Sequence, residues 1–476
     1  VVALTLVALA IRVVELSRLS FWYDESISLL MVSQRSFSAW LIDVHPPLHY
    51  ALLLAAAQVS TSDVGLRLPS AVLGAITVPA LYALGVRLFD RVVALWAAAF
   101  LTVTWLHVAY SREARMYSLL VFGFTLALWG IVAGARDGKV AGWIAYALGG
   151  ALMTWTHGVG VYYAAIVALV ALILRPAWRP WLVANLAIVV LFLPWVPFAI
   201  RNTRRTVESF WIEALSPEPP VFLTIYQFTV APIPAGAGLW IAVLLTALGL
   251  AIALGHRQER RSVHFLVLAY LAPIGAFTAL SLMVRPILAP RILLPVVVPL
   301  VLLFAVGVRA VPWRRGHVVA GMLVGVILML ATAYGLRRDS AHTEGWREVA
   351  RYLQDNARSG DAVLVLSSPR LHDRPEEIAR GDAEPGETLL LRYDDTRKLG
   401  NLPRLTLRRV MRTCRDEVGA CLNAALRAAS PAGDIWVVRR KVALPAPVVQ
   451  WLDHALESDH SERFRAITVE RSRLRG

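Results

Sequence analysis

The sequence is poor in charge. Only 17% of its 476 residues are Asp, Glu, Lys or Arg, against roughly 25% in an ordinary soluble domain. Hydrophobic residues make up 57% and the mean hydropathy is +0.58. Acids are scarcest of all: residues 1–335 hold 12 acidic side chains beside 23 basic ones, whereas residues 336–476 hold 21 beside 25. An ordinary cytosolic enzyme is excluded. The chain divides into a long apolar part, 1–335, and a mixed part, 336–476, of normal domain size.

Other absences narrow the chemistry. There is no phosphate-binding glycine loop, no metal-ligand spacing in the tail and no nucleophile elbow, and no long internal repeat or low-complexity tract. A net charge of +15 would suit nucleic acid, but no basic stripe or reader motif accompanies it, so nucleic acid is not expected as a partner. Only two cysteines occur, Cys414 and Cys421. On an outward face they could form a disulfide; in a continuous helix they would stand about 10 Å apart, too far for one. Both readings stay open, and neither thiol looks catalytic.

What is present is a series of apolar runs near the spanning length of about 20 residues, at 1–16, 69–86, 92–109, 117–134, 140–155, 158–174, 181–199, 237–254, 262–284, 287–308 and 317–335. The run 1–16 lacks a small-residue cleavage site and reads as a first transmembrane helix rather than a signal peptide, with the native start expected upstream of Val1. The segment Pro46 to Val59 has only 14 residues and reads as interfacial or re-entrant. If it does not span, the linkers RLFDR (87–91), ARDGK (135–139), RPAWR (175–179), HRQERR (256–261) and RAVPWRR (309–315) share one side, with 12 Lys/Arg in tight turns. The positive-inside rule makes that side cytoplasmic. About eleven transmembrane helices follow, with the N-terminus inside and the first outer loop (17–68), the Ser111–Tyr117 loop and the C-terminal domain outside.

The tail reads as an extracytoplasmic α/β domain. A helical pattern over 345–357 leads to AVLVLSS (362–368); LLLRY (389–393), a helix near 416–429 and IWVVRR (435–440) follow, an alternation of layered α/β type.

Candidate functional residues gather at the outer interface. Asp24 and Glu25 in FWYDES enter an apolar stretch, where an unpaired carboxylate is costly. A partly buried Asp that can accept a hydroxyl proton is what an inverting glycosyl transfer needs. Solvated loop charge is the plainer alternative. In DVHPPLHY, His45 and His49 lie at a spacing compatible with a metal pair, but no third ligand is near, so no metal is assigned; the prolines alone would explain a rigid helix start. Arg67 in GLRLPS suits an interfacial anchor. In AYSREARMYSLL, Arg112 and Arg115 flank Glu113, with Tyr117 beyond; outer arginines run against the charge bias and fit a phosphate, which the guanidinium fork binds bidentately. Arg291, with Arg285 before it, stands about a turn inside an apolar run, either a functional charge or one that snorkels outward. His157 and His264 read as satisfied helix residues, and the loop 201–220 as a substrate cover or a solvated lid.

Taken together, Asp-Glu after the first helix, HPPL, GLRLPS, RLFD, YSREARMYSLL, PRILLP and GWREVARYLQDNARSGDAVL resemble the GT-C membrane glycosyltransferases. The most similar group is the bacterial dolichyl-phosphate-mannose–protein mannosyltransferase-like family, related to protein O-mannosyltransferases and lipid A aminoarabinose transferases. The resemblance is densest over 15–125, thin over 130–280, and returns around 285–365. It implies a polyprenyl-phosphate-linked sugar donor, a lipid, glycan or protein acceptor, and transfer on the outer face of the inner (plasma) membrane. It also implies Asp24 as catalytic acid with Glu25 beside it, Arg67 near the reaction centre, an HPPL segment lying along the membrane, and no required cofactor, a divalent cation being possible. Arg112, Arg115, Tyr117, His45 and Arg291 would then meet donor phosphate or substrate. A multi-span transporter or flippase is the alternative; it would show inverted repeats and midplane charges.

Overall fold

The computed structural model describes residues 1–33, 40–41, 43, 45–207, 220–229, 231, 260–284, 286–311, 314–338, 344–367, 384–407, 409–410, 417–430, 433–441 and 444–475. The expected span 237–254, most of the loop 201–220, Arg285 and Cys414 lie outside them. The chain separates into two units: Val1–Leu16 with Asp43–Ala341, and Ser17–Ile42 with His342–Gly476.

The first unit is helical. Its elements are α1 (Val2–Val13), α3 (Leu48–Val59), α4 (Asp63–Leu88), α5 (Arg91–Thr102), α6 (Trp105–Tyr110), α7 (Tyr117–Asp137), α8 (Val140–Thr156), α9 (Gly160–Val170), α10 (Trp178–Phe192), α11 (Val196–Val207), α12 (Pro220–Thr229), α13 (Arg260–Met283), α14 (Val297–Arg309) and α15 (Arg314–Arg338). The intervening α2 (Tyr23–Ser33) belongs to the second unit. Among the described residues, five helices are long and apolar enough to cross a membrane: Asp63–Leu88, Tyr117–Asp137, Trp178–Asn202, Arg260–Met283 and Arg315–Arg338. The 26 residues of α4 reach about 39 Å at 1.5 Å per residue. The 12 of α3 reach about 18 Å, well short of a hydrocarbon core of about 30 Å. Large apolar side chains on α10 and α15, such as Val189, Val190, Met322 and Leu323, are exposed, as lipid-facing surfaces are.

Two expected spans differ in detail. The run 92–109 is broken at Val103 and Thr104. The carbonyls freed there are taken up locally, Thr102 O by the Arg12 guanidinium at 3.3 Å and Val103 O by the Thr332 hydroxyl at 2.7 Å, since apolar surroundings leave no water to satisfy them. The run 287–308 becomes helical only from Leu294 onward, a short 3-10 turn leading into α14. Pro286, Pro290 and Pro295 punctuate its start, and proline withholds donors and disfavours helix in the residue before it. Arg291 consequently lies in a turn ahead of the helix and not a turn inside it.

The linkers sort by end. Arg136 donates to Arg87 O at 2.8 Å and to Ser262 Oγ at 2.6 Å. Arg309 pairs with Asp90 at 3.2 Å and Arg87 with Asp137 at 3.4 Å. Asp90 also caps α5, accepting the Val92 and Val93 N–H groups. The basic linkers 87–91 and 135–139, together with Arg309, thus meet the start of α13 at one end of the bundle.

In the second unit, α2 (Tyr23–Ser33) accompanies a five-stranded sheet of β1 (Ala362–Leu366), β2 (Arg404–Thr406), β3 (Ile435–Arg440), β4 (Leu456–Phe464) and β5 (Ile467–Leu474) in the order β2-β1-β3-β5-β4. β1 pairs parallel with β2 and β3; β5 runs antiparallel to β3 and β4. Helices α16 (Trp346–Asn356), α17 (Pro385–Arg392), α18 (Val418–Ala429) and α19 (Ala446–Ala455) complete it. AVLVLSS and IWVVRR supply strands, but LLLRY does not: Pro385 starts a helix, adjacent Leu389 and Leu390 are buried, and Leu391 is exposed. A strand would have buried alternate residues. Cys421 is disulfide-bonded.

Small residues allow close helix packing between α7 and α8. A Cβ on Gly130 would fall 2.3 Å from Tyr146 N, and one on Gly149 2.5 Å from Ala127 N. Without a hydrophobic force between helices in lipid, such close approach supplies the attraction. Gly149→Leu should destabilise the detergent-purified protein by about 1–3 kcal/mol through overpacking, read as a lower melting temperature. Leu148→Ile, at the exposed neighbouring position, should leave it unchanged; equal melting of the two variants would contradict this packing.

Candidate active site

At the end of the membrane unit away from the basic linkers, five chain segments converge. The first is the approach to α3. Asp43 Oδ1 accepts the His45 N–H at 2.9 Å, its Oδ2 accepts the Tyr50 hydroxyl at 3.1 Å, and its carbonyl accepts the Asn202 amide. An Asp bonded to the backbone two residues on is a turn-forming device; with Pro46 and Pro47 it fixes where His45 lies. His49, on the first turn of α3, is buried and its Nε2 lies 3.2 Å from Ala114 O. Burial first, and Arg115 second, push His49 down to about 3 against that bond. It serves the 111–116 loop instead of making a pair with His45. Among the described residues, no group of three or more His, Cys, Asp and Glu could hold a metal ion.

The second and third segments are the start of α4 and the loop 111–116. Arg67 is buried and donates to Leu16 O at 2.8 Å. Ser70 donates to Arg115 O at 3.0 Å. A Cβ on Gly74 would fall 2.2 Å from Ser111 Oγ, so the loop lies directly on α4. Arg112 donates to the carbonyls of Ile11, Arg12, Val14 and Glu15 at 2.7–3.1 Å. These are the orphan acceptors at the C-terminus of α1, and a cation there also complements the helix dipole. Arg112 closes a helix end. Arg115, by contrast, is buried beside the imidazoles and raises the positive potential felt by both His49 and His157.

The fourth and fifth segments carry His157 and Arg291. His157 follows the last residue of α8 in extended backbone, not inside a helix as expected, and its Nδ1 accepts the Val159 N–H at 3.1 Å. Its ring lies 4.3 Å from that of His45 and 5.9 Å from that of Tyr117, centroid to centroid. Tyr117 in turn meets Tyr110 edge-on at 4.8 Å. Tyr163 donates to Ile292 O at 2.9 Å and so ties the Arg291 turn to α9; the Arg291 charge reaches His157. His45, Arg115, Tyr117 and Arg291 are therefore brought together around His157, which the sequence offers only as a lone histidine.

Arg12 is a second residue the sequence reading missed. It is fully buried in α1, donating to Ala8 O at 2.9 Å and lying 2.8 Å from His107 Nδ1. An arginine inside an apolar run was the available signal.

In the second unit, Asp24 and Glu25 occupy the first turn of α2. Asp24 is half-buried. Glu25 is fully buried, and its Oε2 accepts the Trp22 N–H at 3.4 Å, as the acid of a capping box does. Glu344 organises this segment: its Oε2 accepts Tyr23 N–H at 3.0 Å and Trp346 Nε1–H at 2.8 Å, its Oε1 accepts from Arg440 at 2.7 Å, and its carbonyl accepts the Ser20 hydroxyl. Arg440 also covers the Tyr23 ring and Arg392 the Phe21 ring. Asp24 thus belongs to a tightly held helix start.

Residues 44–200 match the family described as dolichyl-phosphate-mannose-protein mannosyltransferase. Comparison with curated proteins finds no match. Among solved structures the chain is similar to ArnT from Cupriavidus metallidurans in the apo state, with a TM-score of 0.63 and 14% identity over 98% of this chain and 97% of that one. The same protein bound to undecaprenyl phosphate gives 0.60 and 15% over the same shares. The Archaeoglobus fulgidus oligosaccharyltransferase tethered with an acceptor peptide gives 0.52 and 12%, over 92% of this chain and 68% of that one. The chain is a multi-pass membrane protein with the fold of the GT-C glycosyltransferases.

Proposed function

We propose that this chain is an inverting glycosyltransferase that moves a sugar from a polyprenyl-phosphate donor to an acceptor hydroxyl at the outer face of the plasma membrane. The observation that carries the reading is the cluster of Arg115 and Arg291 with His45, His157 and Tyr117 at one end of the membrane unit. A phosphate at headgroup height is an anion suited to it. Similarity to an ArnT structure that binds undecaprenyl phosphate supports the donor class.

Orientation is argued from charge and sulfur. The basic linkers at the opposite end suit the cytoplasm by the positive-inside rule. The disulfide at Cys421 suits an oxidising compartment for the C-terminal unit. Among the described residues, the cations of the membrane unit stand in linkers or within about two turns of the end of a helix or span, as Arg12 does in α1, Arg67 in α4 and Arg201 in the span Trp178–Asn202, which argues against midplane transport sites.

In this mechanism Asp24 takes the proton of the acceptor hydroxyl as its oxygen attacks the anomeric carbon from the face opposite the lipid phosphate. The bond from that carbon to the phosphate oxygen breaks, and the lipid phosphate leaves with the electron pair. Arg115 and Arg291 stabilise its growing charge. Because the leaving group is already a stable anion, no protein acid is needed for it, and we assign no metal ion to the step. Glu25 and Glu344 hold Asp24 in position, Arg67 holds the end of α1, and Tyr117 lines the phosphate site. Arg112, with its donors on four carbonyls, is a positioning residue for the same loop.

Asp24→Asn should reduce transfer from a labelled polyprenyl-phosphate sugar by about 10²-fold or more while lipid phosphate binding is retained; undiminished transfer would remove Asp24 from the chemistry. Arg115→Lys, which keeps the buried charge but not the planar fork, should weaken lipid phosphate binding at least about tenfold. Arg112→Ala should lower the melting temperature first and leave lipid phosphate binding nearly unchanged; unweakened binding by the Arg115 variant, or weakened binding by a folded Arg112 variant, would exchange the two roles.

A further inference from the structure

His45 and His157 come from distant parts of the chain, yet their ring centroids lie 4.3 Å apart, with the planes tilted by 51°. Since His157 Nδ1 accepts the Val159 N–H, its neutral ring carries the proton on Nε2. Tyr117 stands at its side, Arg115 and Arg291 bear on it as cations, and Asp43 is the anion that opposes them. Burial first, then His45, Arg115 and Arg291, hold His157 well below the ordinary imidazole range, and Asp43 only partly offsets them. Without an anion, this cluster keeps the His157 imidazole neutral.

A phosphate in the cluster reverses the balance, and donor and product differ in charge there. The sugar-bearing lipid phosphate is a diester with one negative charge. The lipid phosphate released by transfer is a monoester whose second pKa is about 6, so it carries nearly two charges at neutral pH. We propose that His45 and His157 form a proton-holding pair that is neutral with the diester donor and takes up one proton when the phosphate becomes a monoester. The inference rests on the transfer reading above. The balance is complete: the anomeric carbon exchanges its phosphate oxygen for the acceptor oxygen, Asp24 receives the acceptor proton, the phosphate keeps the electron pair, and the pair takes one proton from water to offset the added charge. The consequence is a product held by a charge-assisted bond that loosens as pH rises, because binding linked to uptake of one proton weakens about tenfold per pH unit.

The test is calorimetric titration of the full-length chain in detergent with undecaprenyl monophosphate, in buffers of different ionisation enthalpy, over roughly pH 7 to 8.5, where the phosphate itself stays mainly dianionic. The methyl ester of the same lipid phosphate serves as the singly charged comparison. Wild-type protein should take up about one proton per monoester bound and almost none per diester. His157→Gln and His45→Gln should bind the monoester with little uptake and a flat pH profile. Monoester binding to wild type without proton uptake, or uptake that persists in both variants, would overturn the pair. Failure of wild type to bind either lipid would overturn the transfer reading itself. The wild-type stoichiometry needs no variant, so a substitution that fails to fold does not remove the test.

Discussion

A charge or an open backbone group inside hydrocarbon must find a partner within the protein, and this requirement shapes the whole membrane unit. Arg12 is buried in α1 only because Ala8 O, Thr102 O and His107 Nδ1 surround its guanidinium. The break between α5 and α6 is tolerated because Arg12 and Thr332 take the freed carbonyls. Most other cations collect at helix ends. At one end Arg87, Arg136 and Arg309 knit the short linkers together. At the other, Arg112 closes α1 while Arg115 and Arg291 bear on the buried His157, beside the half-buried His45. The polarity of the bundle follows from this sorting.

The same requirement explains why neighbouring arginines differ in role. Arg112 and Arg115 share a short loop and look alike as sequence. Arg112 meets the unsatisfied carbonyls of a helix C-terminus, a strong sink for donors. Arg115 is held by its backbone, through Ser70, and its charge is felt by two imidazoles. Asp24 and Glu25 divide similarly, since Glu25 reaches back to the Trp22 N–H at the start of α2 while Asp24 remains half-buried beside it.

Much of the architecture was legible because apolar runs and basic linkers are long-range, redundant signals. The run 117–134 became α7, the short run after His45 became a 12-residue helix, and two of the five basic linkers met at one end with Arg309 of a third. Detail was lost where proline or tertiary burial overrides composition. LLLRY has the look of a strand but follows Pro385 into a helix, and Arg291 leaves its apolar run because three prolines delay α14. Motif residues such as His45, Arg115 and Tyr117 could be singled out from their spacing. His157 could not, because its importance comes from folding α8 so that its end faces His45. Nor does the composition of 17–42 signal that it clusters with the C-terminal chain.

The central claim is that the end of the bundle carrying Arg115 and Arg291 receives a lipid phosphate. A cryo-electron microscopy structure of the chain with undecaprenyl phosphate tests it most directly. The account predicts phosphate density within hydrogen-bonding reach of Arg115 and Arg291 and next to the His45–His157 pair. Density at the opposite end, among Arg87, Arg136 and Arg309, would contradict it.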